Sequence, residues 1–335
     1  MKKIRLALLS GGDSSEREVS LSSGRQVYEA LDKEKYDISK YDPKTDLKQI
    51  VEDAKNIDVA LLILHGPNGE DGTVQGLLDL LKIPYQGSGV LGSALAMNKL
   101  AAKKMYEQSG IKVPQYISFS KGHAFKADTL ETDDLKTNIL KNKTLKIDNS
   151  QIDSWIDKLG LPIVIKPACA GSSVGMSIVK NKEDIFQAIE KAFEFDKNII
   201  LESYIRGVEL TCGVLGNSEE LEALPVIEII PGKGYEFFDY NAKYLKGASE
   251  EICPARIEDN VRIKVQEYAI AAHKALFLRG YSRSDMLLSN DGELYLLETN
   301  TIPGMTATSL YPQSAQVAGY SFSKILDKLI SLAME

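Results

Sequence analysis

Two apolar segments near the end of the chain, SRSDMLLSN and ELYLLETN, constrain the fold most strongly. The residues between them, Asn290-Asp291-Gly292, have the composition of a tight turn. This pattern predicts two antiparallel strands. Because side chains two residues apart lie on the same face of a strand, the pairing would bring Asp285 together with Glu298 and Asn300.

Two carboxylates and an amide on one sheet face suit Mg²⁺, which proteins hold through one or two carboxylates together with substrate phosphates. The next residues, Ile302-Pro303-Gly304-Met305 followed by Thr306 and Ser309, predict a backbone turn whose amides could bind an anion beside the metal. An ordinary hairpin with solvated acidic side chains would have the same spacing. The pattern alone leaves both interpretations open.

The overall charge argues against polyanionic partners. The chain has 335 residues, of which 26% are charged, and its formal net charge is −7. Without a long basic run, it is not expected to bind nucleic acid or an anionic membrane surface. Anionic ligands must therefore be held by local positive charge. The length allows two or three domains.

The cysteines and the N-terminus favour a cytoplasmic location. Three cysteines, at positions 169, 212 and 253, are odd in number and fit no metal-ligand spacing. Arg5 interrupts the N-terminal apolar run, and Gly11-Gly12 ends it too early for the apolar core of a signal peptide. No stretch approaches the length of a membrane span. We therefore expect no membrane partner.

Strand and helix patterns alternate over residues 1–98 and predict an N-terminal α/β domain with a parallel sheet. Glycine turns at Gly11-Gly12 and Gly66 follow two of its strands, where ligands bind in such sheets. Residues 99–201 and 202–335 predict two further domains of α+β type. A polar, lysine-rich surface segment covers 121–150 in this interpretation.

The second half also contains a long amphipathic helix. The pattern predicts that it runs from Asn260 to Leu278 and is closed by Gly280 in the C′ position.

A nucleotide site is predicted without a GxxxxGK[ST] phosphate loop, which the chain lacks. Lys166 ends the apolar strand PIVIKP, and a Gly-Ser-Ser-x-Gly loop follows it, so charge and backbone amides are available for phosphates. A plain glycine-rich hairpin is the alternative. Lys99 and the segment LESYIRGVE complete the candidate site, with Glu209 placed for ribose hydroxyls. The alternatives are a surface charge for Lys99, which is the usual role of a lone lysine, and an ordinary interdomain strand for the segment.

Taken together, these motifs resemble the ATP-grasp enzymes and, among them, the D-alanine–D-alanine ligases. The resemblance covers the chain except for residues 121–155 and implies a three-domain ATP-grasp architecture. The matching motifs are GGDSSEREVSLSSG, LHGPNGEDGTVQG, VIKP with GSSVGMS, LESYIRGVELT, FFDYNAKY, SRSDMLLS and LLETNTIPGMTATSL.

The resemblance implies ATP and two Mg²⁺ or Mn²⁺ ions as cofactors. Residues matched to the nucleotide site are Lys99, Lys166, Ser173, Glu202, Tyr204, Glu209 and Lys243. Residues matched to the metal ligands are Asp285, Glu298 and Asn300.

The resemblance also implies sites for two D-alanine molecules. Residues matched to the first site and to the stabilisers of its oxyanion are Glu16, His65, Arg283 and the amide of Gly304. Ser309 and Leu310 match the carboxylate site of the second D-alanine. Tyr244, Ser172 and Glu16 match a hydrogen-bonded chain that closes the site, and Tyr244 favours an amine nucleophile over D-lactate.

The implied reaction is the ATP-dependent ligation of two D-alanines through a D-alanyl phosphate, which supplies peptidoglycan synthesis. A homodimer is expected from the same resemblance. The alternatives are a D-alanyl–D-lactate or D-alanyl–D-serine ligase, another ATP-grasp carboxylate–amine ligase, and a nucleotide-binding module without catalysis.

Overall fold

The computed structural model describes residues 2–121, 149–169, 171, 174–232 and 249–335. These residues form two compact units, Met1–Val113 with Gly207–Glu335, and Pro114–Arg206. The domain boundaries expected from the sequence, 1–98, 99–201 and 202–335, stay a prediction. Among the described helices, none combines the length and apolar character that crossing a membrane requires.

The secondary structure is mixed α and β. The strands are β1 (Ile4–Ser10), β2 (Tyr36–Tyr41), β3 (Val59–Ile63), β4 (Tyr116–Ser120), β5 (Ile163–Pro167), β6 (Ser177–Val179), β7 (Asn198–Ser203), β8 (Gly207–Gly216), β9 (Glu222–Ala223), β10 (Ile227–Pro231), β11 (Ser249–Ile252), β12 (Gly280–Ser289) and β13 (Leu294–Asn300). The α-helices are α1 (Arg17–Ala30), α2 (Leu47–Asp53), α3 (Thr73–Leu81), α4 (Val90–Met97), α5 (Lys99–Gln108), α6 (Asn149–Leu159), α7 (Ile185–Phe193), α8 (Asp259–Ala275), α9 (Leu310–Val317) and α10 (Phe322–Ala333).

The N-terminal sheet has the order β2-β1-β3, and both pairings are parallel. Every residue of β3 is buried, as expected for a strand covered on both faces. Gly11, Gly12 and Gly66 adopt positive φ angles of 100°, 81° and 72° in the turns that follow β1 and β3. The predicted parallel α/β arrangement is thus confirmed, with glycine turns at the carboxyl ends of the strands.

The larger sheet is antiparallel, with the order β11-β10-β8-β12-β13 and with β9 also paired to β8. Helix α8 covers one face, where Val265 and Ala269 belong to the same apolar cluster as Met286 and Leu296. Strands β9 and β10 are separated around Pro225, which cannot donate a ladder hydrogen bond.

The unit Pro114–Arg206 contains an antiparallel sheet of order β4-β7-β5-β6 with α6 and α7. Helix α6 was not predicted, because its beginning falls in the polar segment 121–150. Its apolar residues nevertheless reach the core: Ile152 is buried, and the Trp155 ring stacks on Phe119 with ring centroids 5.2 Å apart.

The predicted end of helix α8 was wrong. The helix ends at Ala275, and the left-handed C′ residue is Phe277, with φ of 55°. The amide N–H of Leu278 donates to the His273 carbonyl at 3.0 Å, which completes a Schellman-type ending. Gly280 instead begins β12, where a Cβ atom would lie 3.0 Å from the amide nitrogen of Gly87. Glycine is needed there for close backbone contact.

Candidate active site

Strands β12 and β13 bring the predicted acidic and amide residues together. Their register pairs Asp285 with Glu298 and Arg283 with Asn300. Arg283 binds both oxygens of the Asp285 carboxylate, with Nε–Oδ1 at 2.9 Å and Nη2–Oδ2 at 2.8 Å. Asn300 Nδ2 donates to Asp285 Oδ2 at 3.1 Å. A third donor is Thr211 on β8, whose hydroxyl lies 2.6 Å from Asp285 Oδ1.

Lys99 connects helix α5 to this cluster. Its Nζ lies 3.2 Å from Glu298 Oε2. The helix is fixed at this end because the Asn98 side chain accepts hydrogen bonds from the amides of Leu100 and Ala101.

A buried hydrogen-bond network connects helix α5 to the hairpin of strands β12 and β13. The Tyr106 hydroxyl of α5 donates to Thr299 Oγ1 at 2.9 Å, and Ser284 Oγ lies 2.9 Å from the same oxygen. These contacts hold helix and hairpin in one register, so the cluster is rigidly placed.

The donor set fits a divalent cation. Asp285, Glu298 and Asn300 offer carboxylate and amide oxygens from adjacent positions of two paired strands, and Mg²⁺ prefers such hard ligands. Lys99 and Arg283 place two positive charges beside these carboxylates. A phosphate bound at the metal would therefore find cationic partners within the same cluster.

Glu16 and His65 lie at the carboxyl ends of β1 and β3 and are 6% and 7% exposed. Ser14 connects them, since its hydroxyl donates to the His65 carbonyl at 2.6 Å and accepts from the Glu16 amide at 3.1 Å. Burial lowers the pKa of His65, and the Arg283 charge lowers it further. The Glu16 charge and a hydrogen bond with the Ile302 backbone oppose this shift but do not cancel it. The ring is therefore neutral near pH 7.

The loop after β13 is more strongly hydrogen-bonded than its composition suggested. The Thr306 amide donates to Ser309 Oγ at 3.1 Å, and the Ser309 amide donates to the Thr306 carbonyl at 3.0 Å. The Ala307 amide donates to Gln26 of α1 at 3.1 Å. Two amides of the expected anion site, those of Thr306 and Ser309, are thus already engaged. At Gly304, a Cβ atom would lie 3.0 Å from Ser309 Oγ, so these two residues are neighbours, and Leu310 begins α9.

The other unit contains a predicted lysine and a predicted adenine-site acid in direct contact. Lys166 Nζ on β5 lies 3.0 Å from Glu202 Oε2 on β7, and both side chains are largely buried. Tyr204 follows β7, and its amide donates to the Pro162 carbonyl at 3.3 Å. Glu209 lies on β8, opposite Leu287.

Several predictions concern residues that the structure does not describe. They are Ser172, Ser173, Lys243 and Tyr244, together with nearly all of residues 231–244, around the motif FFDYNAKY, and of the segment 121–150.

Sequence reasoning missed three residues that the structure places at the site. Thr211, Gln26 and Glu70 contact the Asp285 carboxylate, the Ala307 amide and the Gly66 amide, respectively. Of these, Glu70 carried a signal, because it lies in the motif LHGPNGEDGTVQG. Thr211 and Gln26 could not be recognised, since their roles depend on contacts between distant segments.

Comparison with known proteins identifies the family. Residues 105–331 match the family described as D-ala D-ala ligase C-terminus, and residues 5–48 and 39–88 match D-ala D-ala ligase N-terminus. A D-alanine–D-alanine ligase of Syntrophobacter fumaroxidans is 54% identical over 100% of this chain and 99% of its own length. A second, from Desulfotalea psychrophila, is 51% identical over 100% of this chain and 96% of its own length.

Solved structures agree with this assignment. A D-alanine–D-alanine ligase from Bacillus anthracis, complexed with ATP, has a TM-score of 0.79 and 35% identity over 99% of this chain and 97% of its own. The VanG D-Ala:D-Ser ligase of Enterococcus faecalis has a TM-score of 0.79 and 34% identity over 99% of this chain and 100% of its own. The predicted ATP-grasp fold is confirmed, and the chain belongs to the D-alanine–D-alanine ligase family.

Proposed function

We propose that this chain joins two molecules of D-alanine to D-alanyl-D-alanine, converts ATP to ADP and phosphate, and thereby supplies peptidoglycan synthesis. The observation that carries the proposal is the 54% identity, over the full chain, to a D-alanine–D-alanine ligase. The site supports it, because one unit combines a buried acid for an ammonium, Glu16, with a cation–carboxylate cluster around Arg283.

A carboxylate does not acylate an amine in water unless it is first activated. The proposed first step transfers the terminal phosphoryl group of ATP to the carboxylate of the first D-alanine, whose ammonium pairs with Glu16. Phosphoryl transfer requires mainly positioning and charge neutralisation. Lys99 and Lys166 are the phosphate-binding lysines of this proposal, and Glu202, Tyr204 and Glu209 hold adenine and ribose.

The proposed metal ligands are Asp285, Glu298 and Asn300. Two Mg²⁺ or Mn²⁺ ions held there would neutralise the phosphate oxygens. Arg283 serves this site in two ways, because it fixes the Asp285 carboxylate and directs a guanidinium toward the oxygen of the reacting carbonyl group.

In the second step, the amine of another D-alanine attacks the acyl carbon, and phosphate leaves the tetrahedral intermediate. The oxyanion is stabilised by Arg283 and by the Gly304 amide. Ser309 and the Leu310 amide bind the carboxylate of this second D-alanine. An acceptor other than D-alanine is less favoured, because the two relatives that are 54% and 51% identical to this chain are both D-alanine–D-alanine ligases.

The decisive experiment measures ADP release and dipeptide formation by the purified protein with D-alanine, L-alanine, D-serine and D-lactate. We expect ADP and D-alanyl-D-alanine in equal amounts with D-alanine alone. ADP release that does not require D-alanine, or a preference for D-serine or D-lactate as the acceptor, would overturn the proposal. Size-exclusion chromatography with light scattering tests the expected homodimer, and cell fractionation tests the cytoplasmic location.

A further inference from the structure

Two carboxyl groups lie beside Gly66, and the reaction described above uses only one of them. Glu70 Oε2 accepts a hydrogen bond from the Gly66 amide at 2.6 Å. Glu16 Oε2 lies 3.2 Å from the position that a Cβ atom on Gly66 would occupy. Glu70 is therefore a close neighbour of the acid assigned to the first ammonium.

The Glu70 carboxyl group is held in place by its own turn. The Glu70 amide donates to the Gly66 carbonyl at 2.9 Å, and the Gly69 amide donates to the same oxygen at 3.1 Å. Gln75 fastens the turn to helix α3, because its Nε2 donates to the Gly69 carbonyl at 2.8 Å. The carboxyl group thus has a fixed position, which an acid–base role requires.

The charged surroundings of Glu70 come from several elements. Burial is the main reason that the pKa of Glu70 is raised to about 8, and the Glu16 charge is the next largest cause. The Gly66 amide and Arg283 lower this pKa by smaller amounts, and Glu298 raises it slightly. His65, which directly precedes the same turn, is also titratable. Since burial lowers the pKa of His65, Glu70 is the stronger proton acceptor of the two.

We propose that Glu70 accepts a proton from the ammonium group of the second D-alanine, so that the free amine can attack the acylphosphate. The N–H bond breaks and an O–H bond forms on Glu70. The electron pair left on nitrogen forms the C–N bond. The C–O bond to phosphate then breaks, and the departing phosphate takes the second N–H proton and leaves as hydrogen phosphate. This role rests on the proposed function and assigns the two acids around Gly66 to different amines.

Glu16 and Glu70 are assigned to different amines because the two amines react differently. The first ammonium stays protonated throughout the reaction, so it needs a permanently ionised partner, which Glu16 supplies. The second ammonium must lose a proton before it can react. An acid that exchanges its proton near neutral pH is suited to that step, because a general base works best when its pKa lies near the working pH.

The test compares two nucleophiles in Glu70→Gln. The glutamine oxygen can still accept the Gly66 hydrogen bond, but the side chain no longer takes up a proton. We expect kcat/KM for the second D-alanine to fall about 100-fold at pH 8. The part of its pH dependence that comes from the Glu70 carboxyl group should disappear, which leaves only the rise due to the ammonium group of D-alanine itself. Hydroxylamine is a neutral nucleophile that needs no proton acceptor. Formation of D-alanyl hydroxamate from the acylphosphate should therefore stay within about twofold of the wild-type rate.

Two further variants separate this role from a structural one. Glu70→Asp keeps a titrating carboxyl group and should recover part of the pH-dependent rise. Asp71→Asn perturbs the same turn, since Asp71 accepts hydrogen bonds from the Asn68 and Thr73 amides at 2.9 and 3.0 Å. It should leave the shape of the pH profile unchanged.

Three outcomes would overturn the inference. Equal losses of dipeptide and hydroxamate in Glu70→Gln would show a structural role, and a wild-type rate and pH profile for dipeptide formation would show no role. If the wild-type protein forms hydroxamate but no dipeptide, the acceptor is not D-alanine, and the assigned amine is wrong. Failure of the wild-type protein to form either product would instead refute the proposed function, and this role with it.

Discussion

Lys99 Nζ lies 3.2 Å from Glu298 Oε2, and this ion pair joins the first turn of helix α5 to strand β13. Both side chains are mostly shielded from water, at 14% and 26% exposure. The lysine matched to a phosphate contact therefore lies directly beside a predicted metal ligand. If both roles hold, phosphate and metal meet at this point, and we expect phosphoryl transfer to take place next to β13.

Replacement of Lys99 tests whether phosphate binds beside this ion pair. We expect Lys99→Ala to lower kcat/KM for ATP by about 10- to 100-fold, because a hydrogen bond to a charged group contributes about 1.5–3 kcal/mol. Steady-state kinetics with varied ATP measures the effect. Lys48→Ala is the matched control, since that lysine is 89% exposed and pairs with Glu52 on the surface of α2. An equal effect in both variants would exclude a phosphate role for Lys99.

Arg283 is expected to act mainly in the transition state. Loss of one oxyanion donor raises the barrier by about 3–4 kcal/mol, so Arg283→Ala should lower kcat by at least about 100-fold. Nucleotide affinity, measured by calorimetry, should stay close to that of the wild type. Turnover near the wild-type level would contradict the assigned role.

Thr211 supports the proposed metal site from behind. Its buried hydroxyl lies 2.6 Å from Asp285 Oδ1 and helps to orient that carboxylate. Thr211→Val keeps the shape and removes the donor, so the Mg²⁺ concentration for half-maximal activity should rise about 10-fold. Thr211→Ser keeps the hydroxyl and serves as the control. A normal Mg²⁺ requirement in the valine variant would show that Asp285 needs no such support.

The sequence predicted those features of the site that depend on residues close together in the chain. Alternation in β12 and β13 predicted that Asp285 and Glu298 lie together, which is confirmed. Their direct pairing also depends on a register shift between Asp285 and Met286, which the alternation does not predict. The glycine turns after β1 and β3 followed from the same reasoning. The family was predictable because its motifs are spread over the chain.

Contacts between distant segments could not be predicted. The pairing of Lys99 with Glu298, and of Gln26 with the Ala307 amide, depends on how helices pack against the sheet. Helix α8 illustrates the same limit: Gly280 had the expected residue type for a C′ position, but tertiary packing against Gly87 requires it elsewhere, and Phe277 takes the left-handed conformation.

Gly66 offers a test of crowding at the Glu16 carboxylate. A Cβ atom there would lie 3.0 Å from Ser14 Cβ and 3.2 Å from Glu16 Oε2, in a backbone with φ of 72°. We expect Gly66→Ala to displace Glu16 and to lower kcat/KM for the first D-alanine at least 10-fold, a barrier increase of about 1.4 kcal/mol.

Gly110 is a matched control for this variant. Its φ is 73°, but nothing lies within 4 Å of its Cβ position. Gly110→Ala should therefore show a similar backbone strain of about 1 kcal/mol in urea unfolding and normal kinetics for D-alanine. Equal kinetic losses in the two variants would indicate a general loss of stability rather than crowding of Glu16.

His273 makes the stability of the protein depend on pH. The ring is 1% exposed and hydrogen-bonded to Ser282 Oγ at 2.8 Å, and burial lowers its pKa from 6.5 to about 4. Below pH 6.5 the unfolded chain binds a proton at this ring while the folded chain does not. Stability from the neutral ring is thus complete above pH 6.5 and is lost as the pH falls toward 4.

Between pH 7.5 and pH 5 this single group should remove about 2 kcal/mol from the free energy of unfolding. Urea unfolding of the wild type and of His273→Gln at both pH values measures the difference. The variant is expected to be less stable at pH 7.5, because the packing around Ser282 changes, yet to lose less stability on acidification. If both proteins lost the same free energy between the two pH values, the acid sensitivity would have to come from other groups, because the glutamine side chain does not titrate in this range.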